Sequence, residues 1–365
     1  MKLILVICFV FVWKAFSSFQ YNCASIPSIL DHYGYSYEVH TVLTADGYNL
    51  TVFRLNGAKE DEVKPVIVMQ HGIGASANSF LENGRSSTAL YFADRGYEVW
   101  LPSGRGTRYS KEHKEHPYNS KSYWNFTFEE LGTKDTEAYL EHIHKITKQK
   151  VDYLGFSQGF LQILAAFSLH PEFFRSKLKK IVGWGAVIRI DLATHVGIVL
   201  AGLLKVWPII SYIPITHVGS FDMDSCLSTA AFCKARRTLC ELKKMIGEDF
   251  MPYNSNPHTG AEGDVISMKT MQHLGYNAYE KGFFRHPSYG ERVEYDFNNI
   301  REVPIGLCVG EQDLLASVNN GRWLEYKLKS NFKLLGVYNY LGHRTFVTSY
   351  TEFKHYTDTY NFLQK

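Results

Sequence analysis

The 365-residue sequence has no low-complexity run, no internal repeat and no flexible linker, so nothing in it argues for a disordered chain or a string of modules. It lacks H-E-x-x-H, and its six cysteines never fall at C-x-x-C spacing, which removes the common zinc signatures. Charge of one sign is also missing. The 39 Lys and Arg against 36 Asp and Glu leave a formal net charge of +3, with no basic stripe to follow a nucleic-acid backbone. What the chain does have is 45% hydrophobic and 15% aromatic residues, enough for a sizeable core. The length suits one α/β domain carrying a large insertion.

The N-terminus reads as a secretory signal peptide. Lys2 supplies the positive start and residues 3–13 form an apolar stretch. Ala15 and Ser17 then fit the small-residue positions before a cut after residue 17. Eleven apolar residues are too few to cross a bilayer, which takes about 20. Asn49-Leu50-Thr51 and Asn125-Phe126-Thr127 are glycosylation acceptor sequences and agree with that route. The route leads to secretion or to a lysosomal or other endomembrane lumen. Cys8 leaves with the signal, so Cys23, Cys226, Cys233, Cys240 and Cys308 remain, and an odd count requires an unpaired or intermolecular thiol. The cluster Cys226, Cys233 and Cys240 suits a short local disulfide, with the pairing open.

Along the chain, residues 37–55 predict a hairpin around Asp46-Gly47. The unbroken apolar run 65–69 fits a strand covered on both faces. Strands and helices then alternate. A helix is expected over 86–95 and a strand over 97–101. Thr127 opens a helix to about 147, with Glu130 completing a capping box. Strand 151–154 precedes helix 158–169, and a strand follows over 180–187. The alternation implies a mostly parallel sheet with right-handed crossovers. It breaks between 190 and 300, which reads as a largely helical insertion. Strands resume at 303–309 and 332–340, before a last helix near 350–363.

Gly155-Phe156-Ser157-Gln158-Gly159 is a G-x-S-x-G between that strand and that helix, the context a nucleophile elbow requires. Glycines suit the tight turn, which lifts the Ser157 hydroxyl above the sheet at a helix N-terminus. A tetrahedral intermediate needs two N–H donors. Gln158 follows the nucleophile, and Ile73 lies in the His71-Gly72-Ile73-Gly74 loop after strand 65–69. In this topology the acid and the base follow the serine in that order. Asp313, after strand 303–309, is the acid, with Glu311 its close rival. His343, after the last strand, is the base. His355, His113 and His116 fall at the wrong places. This chemistry calls for no cofactor or metal.

These residues resemble the acid lipase family over nearly all of the mature chain. Tyr33-Gly34-Tyr35 and Ala45-Asp46-Gly47-Tyr48-Asn49-Leu50 are similar to the family's GYP and TEDGYIL segments, and Gln70-His71-Gly72-Ile73 with Ala75-Ser76 to its QHGL-x-AS. Ser103-Gly104-Arg105-Gly106 through Tyr109-Ser110 resembles NSRGN-x-YS, and 123–130 resembles FW-x-FS-x-DE. Gly155 to Gly159 aligns with GHSQG, Asp313-Leu314-Leu315-Ala316 with DLLAD, and His343 with the NHLDF histidine. Three departures stand out. Phe156 replaces a histidine, the base is set in Gly-His-Arg-Thr-Phe without the neighbouring carboxylate, and 258–262 matches PAGTS faintly.

The resemblance implies an α/β-hydrolase fold, with a signal over 1–17, a core over 18–189 and 301–365, and a cap over 190–300. It implies hydrolysis of lipid esters, triacylglycerol or sterol esters, in lipid catabolism. The apolar stretch 196–215 carries only Lys205 as a charge, and it suits a cap element or a lid touching a droplet or micelle surface. Two other readings of the same machinery stay open: a non-lipase carboxylesterase or acyltransferase, and a lipid-binding homologue without catalysis.

Overall fold

The computed structural model describes residues 24–57, 59, 62–189, 216–219, 264–290, 292–348 and 354–365. The expected signal segment, the cysteines other than Cys308 and the apolar stretch 196–215 lie outside the described residues.

The hairpin expected at 37–55 is β1 (Tyr37–Leu43) and β2 (Tyr48–Leu55), antiparallel from Tyr37↔Leu55 to Leu43↔Asn49. Its turn uses Gly47 at φ 100°, a backbone region that favours glycine. The other main strands are β3 (Val66–Gln70), β4 (Glu98–Pro102), β6 (Val151–Phe156), β7 (Leu178–Trp184), β10 (Ile305–Gly310) and β11 (Phe332–Tyr338). They order as β1-β2-β4-β3-β6-β7-β10-β11, with the short β5 (Glu112–His113) paired to β2. Every neighbouring pair from β4 to β11 is parallel. β3, β4, β6 and β10 are buried at every position, which is what a strand covered on both faces requires.

One face of the sheet packs against α3 (Phe128–Glu130), α4 (Glu137–Thr147), α5 (Gln158–Leu169) and α6 (Pro171–Lys177). The other is covered by α1 (Ile26–Tyr33), α2 (Thr88–Ala93) and the C-terminal helix. Tyr153, Phe160 and Leu164 fill the first layer, and Phe92, Trp184 and Tyr356 the second. Burying each such side chain stabilises the fold by about 1.5–3 kcal/mol. Cys308 lies in the second layer with a free thiol, which burial pushes up to about 12.

The helix expected from 127 to 147 starts as predicted. Thr127 and Glu130 form the capping box. It is not one regular α-helix, however, because a π-helical turn over Leu131–Thr136 separates α3 from α4. The cause is tertiary. Gly132 sits so close to α5 that a Cβ there would lie 2.4 Å from the Gln162 carbonyl oxygen. Thr136 Oγ1 donates to Leu131 O, the carbonyl five residues back.

The described part of the insertion is not only helical. β8 (His217–Gly219) and β9 (Val265–Ser267) pair antiparallel, and α7 (Met268–Glu280) follows, capped by Ser267. The Ser267 hydroxyl also reaches the carbonyls of Trp124 and Phe126, at 2.9 and 2.8 Å, which seats this segment on the core. The chain then returns through β10, α8 (Val318–Leu328), β11, α9 (Thr345–Thr348) and α10 (Lys354–Gln364). Among the described residues no helix is long and apolar enough to cross a membrane.

Candidate active site

Ser157 stands between β6 and α5 at φ 53° and ψ −117°, a region that costs a side-chain-bearing residue energy. Packing holds the turn there. The Ser157 N–H donates to Trp184 O at 2.8 Å on the neighbouring strand. A Cβ at Gly155 would lie 2.5 Å from Phe160 N, and one at Gly159 would lie 2.3 Å from Gln70 O. Only glycine fits either place.

The three residues expected to act together are brought together. His343 Nε2 lies 2.9 Å from Ser157 Oγ, and His343 Nδ1 lies 2.9 Å from Asp313 Oδ2. A carboxylate accepts only, so Nδ1 carries the proton and Nε2 is free to accept the serine hydroxyl. Asp313 is buried, and its other oxygen accepts the N–H groups of Leu315 and Ala316 at 2.9 and 2.8 Å. The carboxylate is therefore fixed as well as placed. The rival Glu311 is exposed. His355 is committed elsewhere, with Nε2 against Phe346 O at 3.0 Å, and His113 Nε2 meets Asp46 O at 2.9 Å.

Gln158 is the first residue of α5, so its N–H is one of the four that have no partner within a helix. Ile73 lies beside Gly72, and a Cβ at Gly72 would stand 3.0 Å from Ser157 Cβ, which puts this loop against the nucleophile. His71, buried, sets the loop's direction. The Gly104 N–H donates to its Nε2 at 3.0 Å, so Nδ1 is protonated and donates to Gly72 O at 2.9 Å. Burial lowers His71 to about 4, keeping the ring neutral as both bonds require. Because N–H and C=O oppose each other across a planar peptide, fixing Gly72 O fixes the Ile73 N–H.

One contributor lies in a motif that carries the family resemblance, but nothing in the sequence pointed to its role. Arg105, one residue beyond Gly104, is fully enclosed. Its Nε donates to Asp135 at 2.7 Å, its Nη atoms to Asp46 at 2.6 and 2.9 Å, and its backbone N–H to Asp135 at 3.0 Å. The two departures at the site have structural partners. Phe156 packs its ring 5.2 Å from that of His343, and Arg344 turns away to Glu82 at 3.3 Å. Of the two acceptor asparagines, Asn125 is exposed, whereas Asn49 is half-buried and donates to Glu112 at 3.3 Å. Among the described residues no cluster of three or more His, Cys, Asp or Glu is placed to hold a metal ion.

The chain is similar to known proteins. Residues 26–84 match the partial α/β-hydrolase lipase region and 65–195 match the α/β-hydrolase fold. The chain is 29% identical to triacylglycerol lipase 2 of Arabidopsis thaliana, over 83% of this chain and 77% of that one. It is 35% identical to gastric triacylglycerol lipase of Bos taurus, over 40% of this chain and 38% of that one. A soluble variant of monoglyceride lipase from Saccharomyces cerevisiae has the same fold, with a TM-score of 0.57 at 13% identity over 95% of this chain and 97% of that one.

Proposed function

Since the chain belongs to the acid lipase family of α/β-hydrolases, we propose that it hydrolyses neutral lipid esters of the triacylglycerol type through an acyl-enzyme on Ser157. The observation that carries this reading is the unbroken line from Asp313 through His343 to Ser157 Oγ, with both links at 2.9 Å. Ser157 Oγ attacks the ester carbonyl while His343 Nε2 takes its proton. The oxyanion receives the N–H groups of Ile73 and Gln158. Asp313 stabilises the imidazolium, which then protonates the departing alcohol. Water attacks the acyl-serine with His343 again as base, and the fatty acid leaves.

The triacylglycerol class rests on relatives that are triacylglycerol lipases. Entry into the secretory pathway is part of the same proposal and rests on the leader-like 1–17 and the exposed Asn125 acceptor. The intact serine–histidine bond favours catalysis over lipid binding alone.

The test is turnover of short- and long-chain p-nitrophenyl esters and of emulsified triacylglycerol by the mature protein across pH 4–8, beside Ser157→Ala. Long-chain activity that vanishes in the variant is the expected result. Short-chain activity alone would make the protein an esterase. A folded, glycosylated sample with no serine-dependent turnover would refute the enzyme reading.

A further inference from the structure

The carbonyls on both sides of Ile73 are held by named groups, and only one holder belongs to the core. Gly72 O is held by His71. Gly74 O accepts the backbone N–H of Asp264 at 2.8 Å, at the point where the cap segment re-enters just before β9. Gly74 itself has φ 63°, so the loop turns sharply there.

Asp264 does more than supply an N–H, which any residue but proline could give. Its carboxylate is buried, 6% exposed. One oxygen accepts the Arg108 N–H at 2.8 Å, and the other accepts the Val265 N–H at 2.8 Å. Arg108 closes the loop that begins at Gly104, since the N–H and hydroxyl of Thr107 both donate to Gly104 O. Gly104 in turn donates to His71. The bonds therefore form a ring: Gly74 to Asp264, Asp264 to Arg108, the 104–108 loop to His71, and His71 back to Gly72. Ile73 lies in the short arc between Gly72 and Gly74. A buried carboxylate is costly to keep and is compensated by charge-assisted bonds to N–H groups. Here those bonds stiffen the frame around one peptide.

We propose that Asp264 is a positioning residue for the oxyanion donor at Ile73, so that seating of the cap segment 264–267 completes the oxyanion hole. This rests on the ester-hydrolase reading above. Asp264 touches neither nucleophile nor base, so it acts through the stabilisation of the tetrahedral intermediate rather than through the proton transfer between Ser157 and His343.

The experiment compares wild type, Asp264→Ala and Asp264→Asn on a soluble p-nitrophenyl ester, and measures each protein's affinity for a trifluoromethyl ketone, whose serine adduct carries the oxyanion. In Asp264→Ala, kcat is expected to fall about 10- to 100-fold, less than the roughly 10²- to 10³-fold cost of losing one oxyanion donor outright, because the Ile73 N–H is loosened rather than removed. KM should stay within about threefold, and ketone affinity should fall by the same factor as kcat/KM. Asp264→Asn keeps one acceptor oxygen and should recover most of the loss, remaining about threefold below wild type. If the alanine variant does not fold, the asparagine variant decides, through a matched fall in kcat and ketone affinity. Wild-type kcat in either folded variant, or a fall in kcat with ketone affinity unchanged, overturns the proposal. Wild-type protein with no serine-dependent turnover would instead overturn the hydrolase reading, so the two failures are distinct.

Discussion

Replacing Gly159 with alanine puts one methyl group where the backbone of β3 already is. The added Cβ would sit 2.3 Å from Gln70 O and 2.8 Å from His71 O, whereas ordinary contact begins at 3.4 Å. Both neighbours are backbone, so no side chain can swing aside. Either the first turn of α5 or the end of β3 must retreat by about 1 Å, a displacement on the scale known to cost 10²-fold in rate when it misplaces reacting groups. The two sides that separate are those carrying Gln158 N–H and the 71–74 loop, so the oxyanion donors are the groups displaced. Overpacking should also cost about 1–3 kcal/mol of stability.

The assay is kcat on a saturating p-nitrophenyl ester together with urea unfolding. Gly159→Ala is expected to lose about 10²-fold in kcat while remaining folded. Gly96→Ala is the control. Gly96 has φ 85° and open space around its would-be Cβ, so it should lose about 1–2 kcal/mol from backbone strain and keep its activity. A folded Gly159→Ala enzyme with kcat within threefold of wild type would refute the claim that this contact sets the donor geometry.

Three further predictions follow from the same structure. Asp313→Asn keeps the shape but lets His343 take the wrong tautomer, so kcat on the same ester should fall roughly 10⁴-fold with the unfolding midpoint little changed. Asp135→Asn removes half of the support of the enclosed Arg105 and should cost about 3 kcal/mol in urea unfolding, at the lower end for breaking a buried pair because Asp46 remains. Asp152 is buried with Oδ1 unpartnered among the described residues, and burial raises its carboxyl to about 7. The unfolded chain ionises near pH 4, so wild type should lose on the order of 4 kcal/mol as pH climbs from 4 to 7 and stay lowered above it. Asp152→Asn should therefore gain on wild type at pH 8 and lose that advantage at pH 4.5. A difference in unfolding free energy that does not change with pH would contradict this.

Much of this architecture was legible because each strand of a doubly covered sheet must be apolar throughout. The run at 65–69 and the alternation after it locate β3, β4, β6 and β7 within a few residues. The elbow was legible for a local reason, since a strand, two glycines and a helix must be adjacent in sequence to make it. The choice between Glu311 and Asp313 was not local. Both follow β10, and what separates them is burial together with the N–H groups of Leu315 and Ala316. The π-helical turn was hidden because its cause, the Gln162 carbonyl, lies thirty residues from Gly132. The pairing of β8 with β9 was hidden for the same kind of reason, since nearly fifty residues separate the two strands.

The supports of the oxyanion loop show why a motif can be seen before its purpose is. His71 and Gly104 are 33 residues apart, Arg105 and Asp135 are 30, and Arg108 and Asp264 are 156. Each pairing joins segments that meet only after the sheet has formed. Two of the motif residues that mark the family resemblance, His71 and Arg105, are therefore supports rather than reacting groups. The departures fit the same logic. Phe156 and Arg344 flank the triad in sequence, next to Ser157 and His343. Phe156 packs on the imidazole face and Arg344 pairs with Glu82, so both changes leave the hydrogen bonds of Ser157, His343 and Asp313 in place. Their effect should fall on what approaches the site, because the geometry of attack is set by residues that did not change.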